Sequence, residues 1–267
     1  SEMCIRDRYE QALESVGAEV EHVLLKEEDE FRVQDSFIDW LHKDLDMVFL
    51  CNPNNPTGIL TDREFLFRLL RVCREMGIFL VVDECFQDFI REPGQYSLKA
   101  QLPRYHNLFL LKAFTKRYAM AGVRLGYGIT ENEELLEKMT QATQPWNISI
   151  PAQAAGIAAL GEVEYVERAR KLIFAESEYL SEELYKLGMT VFPSQANYLF
   201  FKGPDDLFEI CVGQNVLIRD CSNYPGLGKG FYRVAVRTHE ENERLIQAIH
   251  DGLMEARKKT QEEEGEE

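Results

Sequence analysis

Nothing in this sequence approaches the ~20 consecutive apolar residues that a membrane-spanning helix needs, and no segment repeats at a fixed period. Positive charge is scarce: 30 Lys and Arg stand against 46 Asp and Glu, for a net charge of -16. A chain of that sign is repelled by nucleic-acid phosphates and anionic lipid, so neither nucleic acid nor membrane is expected as a partner. Cysteine occurs only at positions 4, 51, 73, 85, 211 and 221, never as Cys-x-x-Cys and never beside a ladder of His. That scatter argues against a disulfide framework or a metal site and for a reducing, cytoplasmic setting. Several of these thiols lie in apolar runs, where Cys packs as a small hydrophobe. Core packing is the expectation for Cys51 and Cys85 too, although both fall near strand ends.

The 267 residues allow two modest domains, since cores above ~250 residues tend to split. Ser1 to Arg8 has neither the apolar stretch of a signal peptide nor a native-looking start, and reads as a non-native leader (1–8) ahead of a helix, Tyr9 to Val16, closed by Gly17. Ala18 to Leu25 is expected as a strand and Ser36 to His42 as a helix. The apolar strand Met47 to Cys51 runs into Asn52-Pro53-Asn54-Asn55-Pro56-Thr57-Gly58. Two prolines and a glycine force a turn at a strand's C-terminal end, where doubly wound sheets place their ligands. After a helix, Asp62 to Met76, the apolar run from Ile78 ends in Asp83, the pattern of a parallel strand carrying a carboxylate to the functional edge of a sheet.

Leu108 to Leu111 reads as another buried strand, with a further one from Val123 to Ile129, so the lysines between them, Lys112 and Lys116, sit where a loop amine can meet a carbonyl carbon. Apolar walls would lower such an amine's pKa toward the nucleophilic free base, while a solvated strand-end lysine is the competing description of either. Arg124 could present a planar fork to a phosphate. Beyond Pro145 to Pro151, where the large domain (9–151) is expected to end, a helical pattern runs from Ala152 to Leu187 and Gly188 stops it. Strands at Met189 to Phe192, Tyr198 to Phe201 and Tyr232 to Val236, with helices near Asp206 to Gln214 and Glu240 to Ala256, give a smaller α+β domain (152–257). Five of the last six residues are Glu, and the stretch 258–267 is expected to be a disordered acidic tail. Arg219, Arg233 and Arg237 each emerge from apolar context. A half-buried guanidinium is costly without an anion, so the three suggest a doubly anionic substrate, with ordinary salt bridges the competing explanation, strongest for Arg237.

Thr115-Lys116 followed by Gly122-Val123-Arg124-Leu125-Gly126 resembles the Schiff-base segment of the pyridoxal-phosphate (PLP) enzymes of the aspartate aminotransferase fold. Asn-Pro-x-Asn-Pro-Thr-Gly and the strand-end Asp belong to the same resemblance, which covers Tyr9 to Ala256. It implies an α/β protein of PLP fold type I: an α/β/α large domain, here incomplete because the family's N-terminal portion is missing, and a smaller C-terminal α+β domain. It implies PLP as cofactor, with Lys116 as the catalytic Schiff-base lysine. Thr115 stands beside it, Arg124 lies at the cofactor phosphate, Asn55 at the ring oxygen and Asp83 at the pyridine nitrogen. Phe86 stands where the family often has a Tyr that donates to the ring oxygen. Asn197 and Arg233 would hold the substrate carboxylate, and Arg219 with Arg237 a substrate phosphate. No metal is implied, and the full-length enzyme is expected to be a homodimer.

Cys221-Ser222-Asn223-Tyr224-Pro225-Gly226-Leu227 and Phe231 to Arg237 resemble the threonine-phosphate decarboxylase branch, with the histidinol-phosphate aminotransferase branch as the alternative. Both act on a small phosphorylated amino acid or amine. The outcome depends on which bond to the substrate's α-carbon stands perpendicular to the cofactor ring, an angle that sequence does not give. A third expectation, from the missing N-terminal portion, is a partial enzyme with recognisable residues and no working site.

Overall fold

Three apolar strands form the parallel part of a mixed sheet in a computed structural model that describes residues 7–265. These are β1 (Met47–Cys51), β2 (Phe79–Asp83) and β3 (Leu108–Ala113), mutually parallel, with β4 (Gly126–Ile129) antiparallel to β3, in the order β1-β2-β3-β4. Val48, Leu50, Leu80, Val82, Leu108 and Leu110 lose essentially all contact with solvent. The near-continuous apolar run in each parallel strand is explained by that burial.

Helix α3 (Arg63–Met76) shows how local sequence sets an element: the Asp62 carboxylate accepts from the Phe65 N–H at 3.0 Å, and Gly77, at φ 77°, closes the C-terminus in the left-handed region. Between those caps Phe65, Leu66, Leu69, Leu70 and Cys73 fall on one face and join the core beneath the sheet. Each fully buried Leu or Phe there contributes about 1.5–3 kcal/mol. The remaining helices of this region are α1 (Asp7–Glu14), α2 (Ser36–Trp40), α4 (Pro93–Tyr96), α5 (Phe114–Arg117), α6 (Glu133–Ala142), α7 (Ile150–Leu160) and α8 (Val163–Lys186). The expected leader falls mostly outside the described residues, and helix α1 begins inside it at Asp7.

The chain divides into two compact units, one running through Asn55 and then from Ile59 to Arg170, the other comprising Pro56–Gly58 and everything from Lys171. Arg170 Nη2 donates to the Ile90 and Arg91 carbonyls at 2.9 and 2.7 Å, which binds the first turns of α8 to the first unit. In the second unit β5 (Thr190–Val191), β6 (Tyr198–Lys202), β7 (Arg219–Asp220) and β8 (Phe231–Ala235) form an antiparallel sheet in the order β5-β6-β8-β7. It packs with α9 (Leu207–Gly213) and α10 (His239–Gly265) around Leu184, Leu199, Phe201, Leu207, Cys211, Tyr232 and Ile249.

Three local expectations are corrected. Ala18 to Leu25 forms no strand; Val23 and Leu25 pack half-buried against the first core, and the segment has no ladder partner. The helical pattern from 152 to 187 is two helices, because Gly161, the poorest helix former short of Pro, terminates α7. The acidic tail is helical as far as Gly265. Lack of apolar residues bears on burial rather than helicity, and Ala, Arg, Lys, Gln and Glu are strong helix formers.

Candidate active site

The C-terminal ends of β1, β2 and β3 lie level, with Cys51 paired to Asp83 and Asp83 to Leu111, so whatever follows each strand is delivered to one edge of the sheet. Asp83 is 3% exposed. Its Oδ1 accepts from the Cys85 N–H at 2.9 Å, and its Oδ2 accepts from the Tyr9 hydroxyl. Tyr9 is held in turn by stacking on Phe49, ring centroids 5.3 Å apart. After β1 the turn is pinned by Asn52 N–H to the Asp83 carbonyl at 3.0 Å, Thr61 N–H to Asn52 Oδ1 at 2.8 Å and Asn54 N–H to the Ile59 carbonyl at 2.9 Å. The Asn52-Pro53 peptide is cis, and Asn55 is buried.

Strand β3 passes directly into α5, whose turn carries Thr115 and Lys116, both half-buried, and the Phe114 N–H donates to the Leu125 carbonyl at 3.1 Å. Lys116 Nζ stands 5.6 Å from the centre of the Phe86 ring, so the aromatic at the position where the family often has a Tyr offers its π face to the amine. Arg124 is exposed, adopts the left-handed conformation at φ 57°, and donates through Nη1 to the Ala121 carbonyl at 3.0 Å.

Lys112, the other candidate amine, has a different situation. Its Nζ lies 2.7 Å from Glu84 Oε2 in a pair whose side chains are 12% and 0% exposed. Glu84 also accepts from Ser97 Oγ at 2.8 Å and the Leu98 N–H at 3.0 Å. Its amine is engaged in that buried ion pair, whereas a nucleophilic amine must be presented to a carbonyl carbon. Tyr9 and Glu84 are absent from the motifs that identify the edge. Glu84 follows Asp83 directly, and that adjacency, with a lysine four residues before Lys116, is the one sequence signal for the pair.

The second unit gathers the other candidates around β6, β7 and β8. Arg219 and Arg233 are direct cross-strand partners, so their side chains share one face of the sheet. Each guanidinium lies over an aromatic ring, Arg219 over Tyr224 at 5.5 Å and Arg233 over Tyr198 at 4.9 Å. Arg219 Nη2 also donates to Asn223 Oδ1 at 3.0 Å. Burial pushes the Tyr224 hydroxyl above its ordinary pKa, against the two arginines beside it. Asn197, just before β6, carries a buried amide oxygen with no hydrogen-bond partner among the described residues. Arg237 is apart from this group: it is exposed and its Nε lies 2.9 Å from Glu241 Oε1, one helical turn on, as the salt-bridge alternative anticipated.

Comparison with known proteins identifies the family of the chain. The profile of the family "Aminotransferase class I and II" matches residues 7–249. Threonine-phosphate decarboxylase of Salmonella typhimurium is 35% identical over 249 residues, 92% of this chain and 68% of that enzyme. Histidinol-phosphate aminotransferase of Desulfitobacterium hafniense is 40% identical over 212 residues, 78% of this chain and 56% of that enzyme. Among solved structures, the histidinol-phosphate aminotransferase of Clostridium acetobutylicum superposes with a TM-score of 0.85 at 31% identity, covering 90% of this chain and 73% of that one. The chain thus spans between about half and about three quarters of the length of these proteins. With a strand-end aspartate, a buried asparagine turn and a lysine turn on one sheet edge of matching fold, this chain belongs to the class I and II aminotransferase family, whose enzymes depend on pyridoxal 5'-phosphate.

Proposed function

We propose that this chain belongs to a PLP-dependent enzyme that acts on threonine phosphate and removes its carboxylate as carbon dioxide. The observation that carries the substrate class is the register of β7 on β8. Two arginines placed directly opposite on one face repel each other by up to about 1 kcal/mol, and a ligand with two anionic groups relieves that repulsion. Threonine phosphate supplies a carboxylate and a phosphate. Arg233 is assigned to the carboxylate together with Asn197, whose amide can turn its N–H toward an acceptor, and Arg219 to the phosphate. Arg237, engaged with Glu241, is the weakest of the substrate assignments.

The donor set on the first unit fits the cofactor. The Asp83 carboxylate, buried at the end of β2 and oriented by the Cys85 N–H and the Tyr9 hydroxyl, is an anion suited to face a protonated ring nitrogen. When bound, PLP supplies an electron sink for the pair released as a bond to the substrate's α-carbon breaks. Asp83 would hold the proton on the ring nitrogen, Asn55 would donate to the ring oxygen, and Thr115 and Arg124 would serve the cofactor phosphate. Lys116 presents the amine that takes up or returns a proton at the α-carbon.

The relatives support a second reading, transamination of histidinol phosphate, because the aminotransferases match at comparable identity. Product analysis with threonine phosphate and PLP, in the absence of any keto acid, separates the two. Carbon dioxide and aminopropanol phosphate are the expected products. No release, together with 2-oxoglutarate-dependent consumption of histidinol phosphate, would replace the proposal with the second reading.

A further inference from the structure

Residues 84, 86 and 88, which follow Asp83, meet the segment that carries Lys116 at three successive points. Glu84 pairs with Lys112 at 2.7 Å, the Phe86 ring lies 5.6 Å from Lys116 Nζ, and Asp88 pairs with Arg117 Nη1. The two ion pairs therefore bracket the lysine, one four residues before it and one at the residue after it. Neither is an ordinary surface contact. Glu84 is fully buried and locked by Ser97 and the Leu98 N–H, while Asp88 and Arg117 are 17% and 35% exposed and Arg117 Nε also donates to the Tyr118 hydroxyl at 3.0 Å. A buried ion pair contributes little net stability compared with a well-packed apolar pair, and its best-attested use is to fix register. Here the register in question is that of two turns on one sheet edge, one headed by Asp83 and the other holding Lys116.

We propose that Glu84–Lys112 and Asp88–Arg117 act as a two-point clamp that sets where the Lys116 amine stands relative to the Asp83 carboxylate, making these four side chains positioning residues for the cofactor chemistry. The proposal rests on the assignment of Lys116 and Asp83 made above. The clamp also gives each cation flanking Lys116, Lys112 at the end of β3 and Arg117 in α5, its own carboxylate.

The test reads Lys116 with and without cofactor. Without PLP, trace acetylation with acetic anhydride is followed by peptide mapping across the alkaline pH range, with exposed Lys138 and Lys186 as internal references. Glu84→Gln and Asp88→Asn are each expected to move the pH midpoint of Lys116 acetylation and to lower PLP trapped on Lys116 by borohydride about tenfold or more, the scale on which small misplacements act. Exchanging the charges, Asp88→Arg with Arg117→Asp, is expected to restore both readouts. Asp88→Asn removes the more exposed pair and keeps the test valid should Glu84→Gln fail to fold. Variants that melt cooperatively yet acetylate and trap like the parent would overturn the clamp while leaving the cofactor assignment intact. A parent chain that traps no PLP on Lys116 would overturn the cofactor assignment, and the clamp with it.

Discussion

Glu84 relies on Lys112 for its compensating charge, because its side chain has no exposed surface on which to recover hydration. Lys112→Ala is therefore expected to lower stability by about 3–5 kcal/mol, the cost of an uncompensated buried charge, with a smaller loss in the double variant Lys112→Met, Glu84→Gln. Urea unfolding of the three proteins checks both. Asp83→Asn keeps an oxygen to accept from the Cys85 N–H, so the fold should survive, while turnover falls by about 10²–10³ for loss of a fixed catalytic charge. Steady-state kinetics beside a thermal melt separates those effects. The placement of Asp83, Asn55 and Lys116 at strand ends was legible because each lies in a short contiguous pattern tied to a strand. Tyr9 was not: its contact with Asp83 spans 74 residues, and no local pattern encodes a pairing made only by the folded chain.

Elements repeat the distinction between local and non-local signals. Helix α3 could be read from its apolar spacing, an Asp at one end and a Gly at the other, and its N-cap is testable: Asp62→Ala should cost about 1 kcal/mol by stranding the Phe65 N–H. The segment 18–25 misled because β-pattern alone does not supply a neighbouring strand, and the tail because helix propensity needs no core. Gly58 closes the asparagine turn for a reason that can be stated atom by atom. Its φ is 73°, a β-carbon there would run into the Ser194 side chain, and its carbonyl accepts from the Gln195 N–H at 2.7 Å. Gly58→Ala should destabilise the second unit by about 1–3 kcal/mol, the range for a strained backbone position, and hydrogen exchange at Gln195 should report the loss.

Across the whole molecule, burial raises several acidic groups. The thiol of Cys73 is pushed up to about 12, those of Cys211 and Cys221 to about 11, and the Tyr232 hydroxyl to about 12, each mainly by removal from water. The unfolded chain ionises these groups at lower pH than the folded one, so their contribution is complete below about pH 9 and is lost as pH rises toward 11–12. Chemical unfolding at stepped alkaline pH should show that decline, and an alkylating reagent at neutral pH should reach these cysteines only in denaturant. The chain belongs to a PLP-dependent family, and the lysine turn after β3 is the place at which that membership can be tested chemically. The most direct test is where PLP attaches. The chain is incubated with PLP, reduced with borohydride and digested, and the pyridoxyl group is located by mass spectrometry. Label concentrated on the peptide containing Lys116, and lost in Lys116→Ala, is the predicted result; label on Lys112, or spread evenly over exposed lysines such as Lys138 and Lys186, would contradict it.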